Sequence, residues 1–439
     1  MSIYSAMRAG VTGMNANSSA MAVISDNIAN LNTVGYKRGQ TDFSAILNAQ
    51  NASTSYNAGG VLAQTRRFVD LQGSLETSNS ATDLAVNGSG FFIVTEDPSG
   101  TSGARGGLFT RAGSFSLDAK GMLRNSQGYY LMGAPISSGT AAASLSPSSL
   151  ASLQVINLAN VGSTAEASTK AAINANLDSR EGIYPGTPAY AAGAMAGYPT
   201  ATNSIAPDVE RSIEIYDSLG TARTLTLGFL KTGTNTWATE IYMRPASAVT
   251  GTNGLVASGT VQFSTSGVPT SVSAALQSFN ITYAATTGAA AQTIALDLTT
   301  GLSQYATPSA LNSATADGSP PGDLTGVTVS DGGVLTAQYS NGRSEALYLI
   351  PVATFLNPDG LQPERGGAYR VTLESGQFTI NSAGSGGAGP IQANALEASN
   401  VDLGTEFTSM ITTQRAYSAC SKIITTADDM LDELIRIKR

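Results

Sequence analysis

Both ends of the chain repeat their apolar side chains every seven residues, whereas the stretch between them alternates in short, strand-like runs. From Ile3 to Leu31 there is no proline. One row is Met7, Met14, Met21 and Ile28, and a second is Ile3, Gly10, Asn17, Ile24 and Leu31. A seven-residue repeat keeps one stripe of a helix turned towards a partner, so a helix of roughly 43 Å is predicted here. At the other end Asp402 is placed to cap a helix, with Glu406 in its first turn. Leu403, Phe407, Met410, Tyr417, Ile424, Leu431 and Leu434 then recur at three- and four-residue steps. Gln414 makes a polar break in that stripe, and Arg436, Lys438 and Arg439 close it. The two helices are expected to pair, leaving Val11, Val23, Ile411, Ile423 and Ile435 to be covered by something else. Such ends are expected to be poorly ordered alone and to become ordered when several copies associate.

Between the helices the period changes to two. Phe91–Val94, Phe115–Leu117, Ile213–Ile215, Leu225–Phe229 and Trp237–Ile241 read as strands, and Asn341-Gly342 joins two runs as a hairpin turn. Residues 33–81, with 386–399, read as an extended connector. The Gly-rich SAGSGGAGP of 382–390 reads as a flexible link into the last helix. Residues 82–147 with 341–385 are expected to form an inner β domain and 148–340 an outer one. A terminal domain would combine 1–32 with 400–439. The expected class is therefore mixed and segregated: paired long N- and C-terminal α-helices, coiled-coil-like, plus two all-β domains nested in the middle.

Composition narrows the chemistry. At 439 residues, 42% hydrophobic and with a mean hydropathy of +0.02, the chain has material for several cores. It contains no histidine and a single cysteine, Cys420. Ser-His-Asp and Cys-His catalysis, His-ligated metals and a disulfide framework are thereby excluded. No cofactor or metal is expected. A net charge of -8 argues against nucleic acid as a partner. No run of apolar residues is long enough for a membrane span, and the N-terminus has no signal-peptide core. The acids Asp428, Asp429, Asp432 and Glu433 read as a solvated face, Lys37-Arg38 and Arg66-Arg67 as short surface basic pairs, and Cys420 and Trp237 as packing residues.

The segment SDNIANLNTVGYKR, Ser25 to Arg38, resembles the N-terminal motif of the bacterial flagellar axial proteins: rod, hook and hook-associated subunits. Within it Asp26, Asn27, Ile28, Ala29, Asn30, Asn32, Gly35, Tyr36 and Lys37 carry the match. The stretch Ala395 to Leu431 resembles the C-terminal motif of the same family. Residues 82–94, 109–133 and 213–237 look like its hook proteins in particular. Phe43 and Leu47 look like the family's export-gate motif.

The resemblance implies a non-enzymatic structural subunit that self-assembles into a curved, flexible helical tube. The paired terminal helices would line a narrow channel, and the tube would act as a universal joint that transmits motor torque to the filament. It also implies many copies of the chain as partners, together with distal rod, hook cap and hook–filament junction proteins. Export would run through the type III export apparatus without a cleavable signal. Distal rod and junction proteins are the nearest alternatives within the family; an exported β-rich adhesin is a more distant one.

Overall fold

The computed structural model describes residues 3–46, 59–99, 107–136, 145–159 and 161–437. Leu47, Lys438 and Arg439 lie outside them. Three helices occur among these residues: α1 (Ile3–Ala29), the single turn α2 (Ala274–Gln277) and α3 (Leu403–Ile437). Helix α1 ends two residues before Leu31. Asn30 there turns its amide back on the helix, donating to the Asp26 carbonyl at 2.9 Å, and Thr33 Oγ1 donates to Asn30 Oδ1 at 3.1 Å. Such local side-chain bonds compete with helix continuation. Helix α3 starts where Asp402 Oδ1 accepts the Thr405 N–H at 2.7 Å, a side-chain N-cap.

The segregated class expected from the sequence does not hold. Among the described residues helices make up 20% and strands 41%, and the sheets are curled. Seven sheets of two to thirteen strands occur among the described residues, in place of two nested all-β domains. Nor are the helices a separate layer. The two long ones, α1 and α3, belong to one compact unit (Met1–Val161, Gly326–Ala337 and Glu345–Arg439) that also contains the sheet around Phe91–Thr95.

Two physical reasons account for the difference. Heptads tell which side chains share a face, but not what covers it. On α1 the buried face is Gly13, Ala16, Ala20, Ile24 and Asn27, while the row Met7, Met14, Met21 and Ile28 is only half-buried. Small residues let backbone approach closely, and a ribbon of strands takes that opportunity. Strands β1 (Gly39–Ala45) and β2 (Val61–Arg67) pair antiparallel inside the expected connector. The Val61 N–H donates to Thr12 Oγ1 at 3.3 Å, and a Cβ at Gly39 would lie 3.0 Å from Val23. The second reason is that turn signals separate strands without choosing their partners. Phe92 pairs with Val352, and Leu75 pairs with Glu397.

In this unit the strand Phe91–Thr95 is buried throughout and pairs with Leu108–Thr110, Tyr130–Pro135 and Pro351–Phe355. Its core joins Phe91, Phe109, Met132, Leu361, Tyr369 and Ile380. Phe355 meets the rings of Phe91 and Phe109 edge-on, at 5.6 and 4.9 Å between centroids, the arrangement the ring quadrupoles favour.

The second unit comprises Gly162–Thr325 and Gln338–Ser344. One five-stranded sheet is an antiparallel run of Val209–Tyr216, Ala222–Gly233, Thr236–Arg244, Leu255–Phe263 and Pro269–Val272. In the other, Lys170–Asp178 lies parallel to Gln292–Asp297 and Leu302–Tyr305. A shared core of Ile173, Ile213, Phe229, Trp237, Val261 and Ile294 joins the two. Trp237 is fully buried, and its indole N–H donates to Gln304 Oε1 at 3.1 Å.

After the parallel strand Gln292–Asp297, Asp297 closes a tight turn. Its carboxylate accepts the Thr300 and Thr299 hydroxyls and both of their N–H groups. These bonds, the Thr300 hydroxyl first, hold its pKa down to about 2 from 3.8. A carboxylate with a depressed folded pKa contributes stability above its unfolded value, and loses it as pH falls through the folded value. In urea titrations, Asp297→Ala should therefore be less stable than the parent at neutral pH. The gap should narrow between pH 3.8 and about 2.

Candidate assembly site: a buried clasp at the stems of the two helices

The last turn of α1 carries Asp26 and Asn27. Asn27 is buried and binds the backbone of Gly39 twice: its amide donates to the Gly39 carbonyl at 2.8 Å, and its Oδ1 accepts the Gly39 N–H at 2.9 Å. This fixes the angle at which β1 leaves the helix. Between them the chain turns through Gly35 at φ +69°, where a Cβ would sit 2.7 Å from the backbone of Arg111 and Ala112. Glycine is required there on two counts, left-handed backbone and close approach. The Gly35 N–H donates to the Glu397 carbonyl at 2.8 Å.

Tyr36 donates its hydroxyl to Asp26 at 3.1 Å, and Arg67 lies 5.6 Å over its ring. Burial pushes the Tyr36 phenol up to about 12, with Arg67 opposing and Asp26 adding to the rise. The next residue turns inward. Lys37 is fully buried, with Nζ 2.6 Å from Glu397 Oε1, and it also donates to the Leu71 carbonyl. Glu397, equally buried, accepts the Gly73 N–H on the same Oε1 at 2.9 Å and takes Arg111 Nη1 on Oε2 at 2.9 Å. Arg111 donates onward to the carbonyls of Val86 at 3.3 Å and Gly88 at 2.7 Å, and stands 5.1 Å over the face of Phe91.

Two cations thus share one buried carboxylate, and backbone carbonyls with an aromatic face absorb the excess positive charge. Burial pulls the Lys37 ammonium below its ordinary value, and Glu397 opposes that pull. One residue on, Arg38 pairs through Nε with the buried Glu406 of α3 at 2.5 Å, and its N–H donates to Asn400 Oδ1 at 2.6 Å. Asn400 in turn donates to the carbonyls of Phe68 and Leu71 at 3.2 and 3.1 Å. Asp402, its carboxyl held below the usual range by the Thr405 amide, then begins α3. The clasp ties the exit of α1, strand Ala395–Glu397 and the first turn of α3 into one hydrogen-bonded body. Chemically it holds charge and orientation.

The structure brings Asp26, Asn27, Gly35, Tyr36 and Lys37 into this clasp and leaves Ala29 and Asn32 exposed beside it. Asn30 serves the helix end, and Ile28 and Leu31 are half-buried. Of the stripe residues, Ile24 is buried; Met410, Ile424 and Leu431 are half-buried; Leu403, Phe407 and Tyr417 are exposed. Ile3 and Leu434 lie in α1 and α3, and their side chains fall outside the described residues. Phe43 is exposed on β1, and Leu47 is not described. Gly10 and Gly13 face α3: a Cβ would meet Ile424 at 3.1 Å from Gly10 and Cys420 Sγ at 2.9 Å from Gly13.

Arg111 lies in the matched stretch 109–133, and Glu397, Asn400 and Glu406 lie in Ala395–Leu431, but the sequence does not say that they meet. Lys37 and Glu397 are 360 positions apart, and no spacing rule links them. A usable signal existed nonetheless, since charge is scarce (12% of residues) and an acid inside the apolar run Ala395-Leu396-Glu397-Ala398 asks for a partner.

Four family descriptions match the chain: Flagella basal body rod protein over 7–37, Flagellar hook protein FlgE/F/G D1 domain over 85–162, Flagellar basal body protein FlaE D2 domain over 176–319, and Flagellar basal body rod FlgEFG protein C-terminal over 392–437. Among curated relatives, the flagellar hook protein FlgE of Caulobacter vibrioides is 33% identical over an alignment covering 100% of both chains. That of Rhizobium meliloti is 36% identical, also covering 100% of both. The protein of the same name from Escherichia coli is 30% identical over 98% of each.

Proposed function

Because this chain belongs to the flagellar hook protein FlgE family, we propose that it serves as the structural subunit of the flagellar hook and polymerises with copies of itself into a curved, flexible tube. Torque from the motor passes along that tube to the filament, and the tube encloses the export channel. The observation that carries this reading is the clasp. A subunit that hands torque from its helices to its sheets needs both helix stems fixed to one body, and the Lys37–Glu397–Arg111 and Arg38–Glu406 pairs supply that fixity. The distal rod and junction alternatives are not favoured, since the full-length relatives are hook proteins.

Self-assembly residues are proposed along the helices, in the rows Met7, Met14, Met21 and Leu403, Phe407, Met410, Tyr417. The distal rod, hook cap and junction proteins are proposed as neighbours at the two ends of the tube. Passage through the type III export apparatus is proposed as its route to the hook. The low share of charged residues, 12%, suits a joint that must slide its subunits past one another each turn without breaking many ion pairs.

Electron microscopy of the concentrated protein tests the reading, with regular tubes expected. A chain lacking residues 1–31 and 403–439 should stay folded as a β monomer and form none. Tubes built from that shortened chain would remove the helices from the assembly role.

A further inference from the structure

From Ser179 to Asp208 the chain forms no helix or strand. Loops longer than about 15 residues without elements of their own are uncommon inside compact domains. This one, rich in proline, tyrosine, glycine and alanine, is gathered at both ends by one residue of the neighbouring sheet. Lys231 is buried, and its Nζ donates to the carbonyls of Ser179 at 2.6 Å and Glu181 at 2.8 Å. Its own carbonyl accepts the Tyr184 N–H at 2.8 Å, and its N–H donates to Asp208 Oδ2 at 2.8 Å. The departing and the returning chain therefore meet at Lys231.

Between those ends the loop covers a sheet face. In the strand Thr236–Arg244, Trp237, Ile241 and Met243 point into the shared core, and alternation turns Ala238, Glu240 and Tyr242 the other way. On that outer face Leu230, Ala238 and Tyr242 are covered by Met195 and Ile205, both buried. Glu240 lies among them, fully buried, and loop backbone meets its charge: Oε1 accepts the Gly193 N–H and Oε2 the Ala196 N–H, each at 2.9 Å. Burial, and after it this carboxylate, raises the phenol of Tyr190 above its ordinary value, so a third loop residue stands beside Glu240.

The loop is bonded more to itself than to the sheet. The Ile205 N–H donates to the Ala194 carbonyl at 3.0 Å and the Gly197 N–H to the Gly193 carbonyl at 3.1 Å, which holds its two limbs together. Arg244 adds one long, exposed bond to the Tyr198 carbonyl at 3.4 Å. If the loop lifts, water replaces the two amides at Glu240, and no charge is stranded in an apolar place. What is lost is the cover of Met195 and Ile205 over Leu230 and Tyr242. Opening the sheet itself would also break its ladder and expose the core around Trp237.

We propose that residues 183–206 are a strap that lifts from the sheet as one unit, hinged at Lys231 and latched by Glu240. It gives the second compact unit one element that yields while its sheets stay closed, and it uncovers Leu230 and Tyr242 only when open.

Hydrogen exchange of the full-length chain, resolved to single amides, tests this. In the parent, the amides of Gly193, Ala196 and Ile205 should exchange at one common rate, at least about tenfold faster than those of Thr236–Arg244. Glu240→Gln keeps one acceptor and turns an amino group towards the other N–H; Met195→Ala thins the cover and leaves the latch intact. Each should speed the three strap amides by about tenfold or more and leave the strand amides unchanged. Should Glu240→Gln fail to fold, Met195→Ala decides alone. Three unrelated rates in the parent, or strap amides that exchange no faster than the strand, would overturn the proposal. So would unchanged strap rates in either folded variant, or strand amides that accelerate as much as the strap.

Discussion

Replacing Glu397 by Gln should destabilise the first compact unit by about 3–5 kcal/mol, the usual loss when one partner of a buried ion pair is removed. Glu397 is the shared anion of two buried cations, bonded to Lys37 at 2.6 Å and Arg111 at 2.9 Å. Gln preserves its shape and cancels its charge, so Lys37 and Arg111 would face each other without compensation. That loss is large beside a total stability of about 5–15 kcal/mol for an ordinary domain. Urea midpoints on the purified chain would measure it.

The pH dependence adds a second readout. Burial already lowers the Lys37 pKa from 10.5, and Glu397 is the main group resisting that fall. In the variant the folded pKa drops further, so the unfolded chain binds the proton more tightly than the folded one. Stability then rises with pH between the folded value and 10.5. The variant should recover part of its deficit as the solution is made alkaline, more steeply than the parent. Equal midpoints for variant and parent at neutral pH would mean that the carbonyls of Leu71, Val86 and Gly88 alone hold the two cations.

Gly13→Leu should abolish tube formation and motility. A Cβ at Gly13 already lies 2.9 Å from Cys420 Sγ, so a full leucine cannot enter without moving α3 away from α1. Overpacking of this kind costs about 1–3 kcal/mol at a single site. Here the greater effect is geometric, because a displaced α3 carries its exposed flanks with it in every subunit of the polymer. Gly13→Ala combined with Cys420→Ala removes the obstructing sulfur and should restore assembly, whereas Gly13→Ala alone should be impaired. Tube yield by sedimentation and swarm diameter in a complemented strain distinguish the three chains. Normal tubes from Gly13→Leu would show that the close approach at this point is dispensable.

Helix positions were legible because helical period is local: α3 runs from Leu403 to Ile437, capped by Asp402 as its sequence suggests. The strands Phe91–Thr95 and Thr236–Arg244 were legible for the same reason, through alternation and turn residues. The class was misjudged because covering a face is not a local matter. Helix α1 buries Gly13, Ala16 and Ala20, which no hydrophobic count selects, and the supposed connector folds into a β ribbon against it. Half of the clasp was visible as a motif from Asp26 to Lys37. Its other half, Arg111, Glu397 and Glu406, fell within stretches that the sequence marks out, but their pairing was not legible, since a charge shows its partner only once the chain has folded.

Membership of the flagellar hook family, the absence of imidazole chemistry and the location of the long helices were all encoded in order and composition, which fix local conformation and available functional groups. The sharing of Glu397 by two cations, the close approach at Gly13 and the apolar side chains that α3 leaves exposed depended on the folded arrangement. Each rests on residues hundreds of positions apart, or on which face of a helix is left over after the others are covered. Such facts come into being only when the chain closes on itself and the dielectric around each group is set by its neighbours.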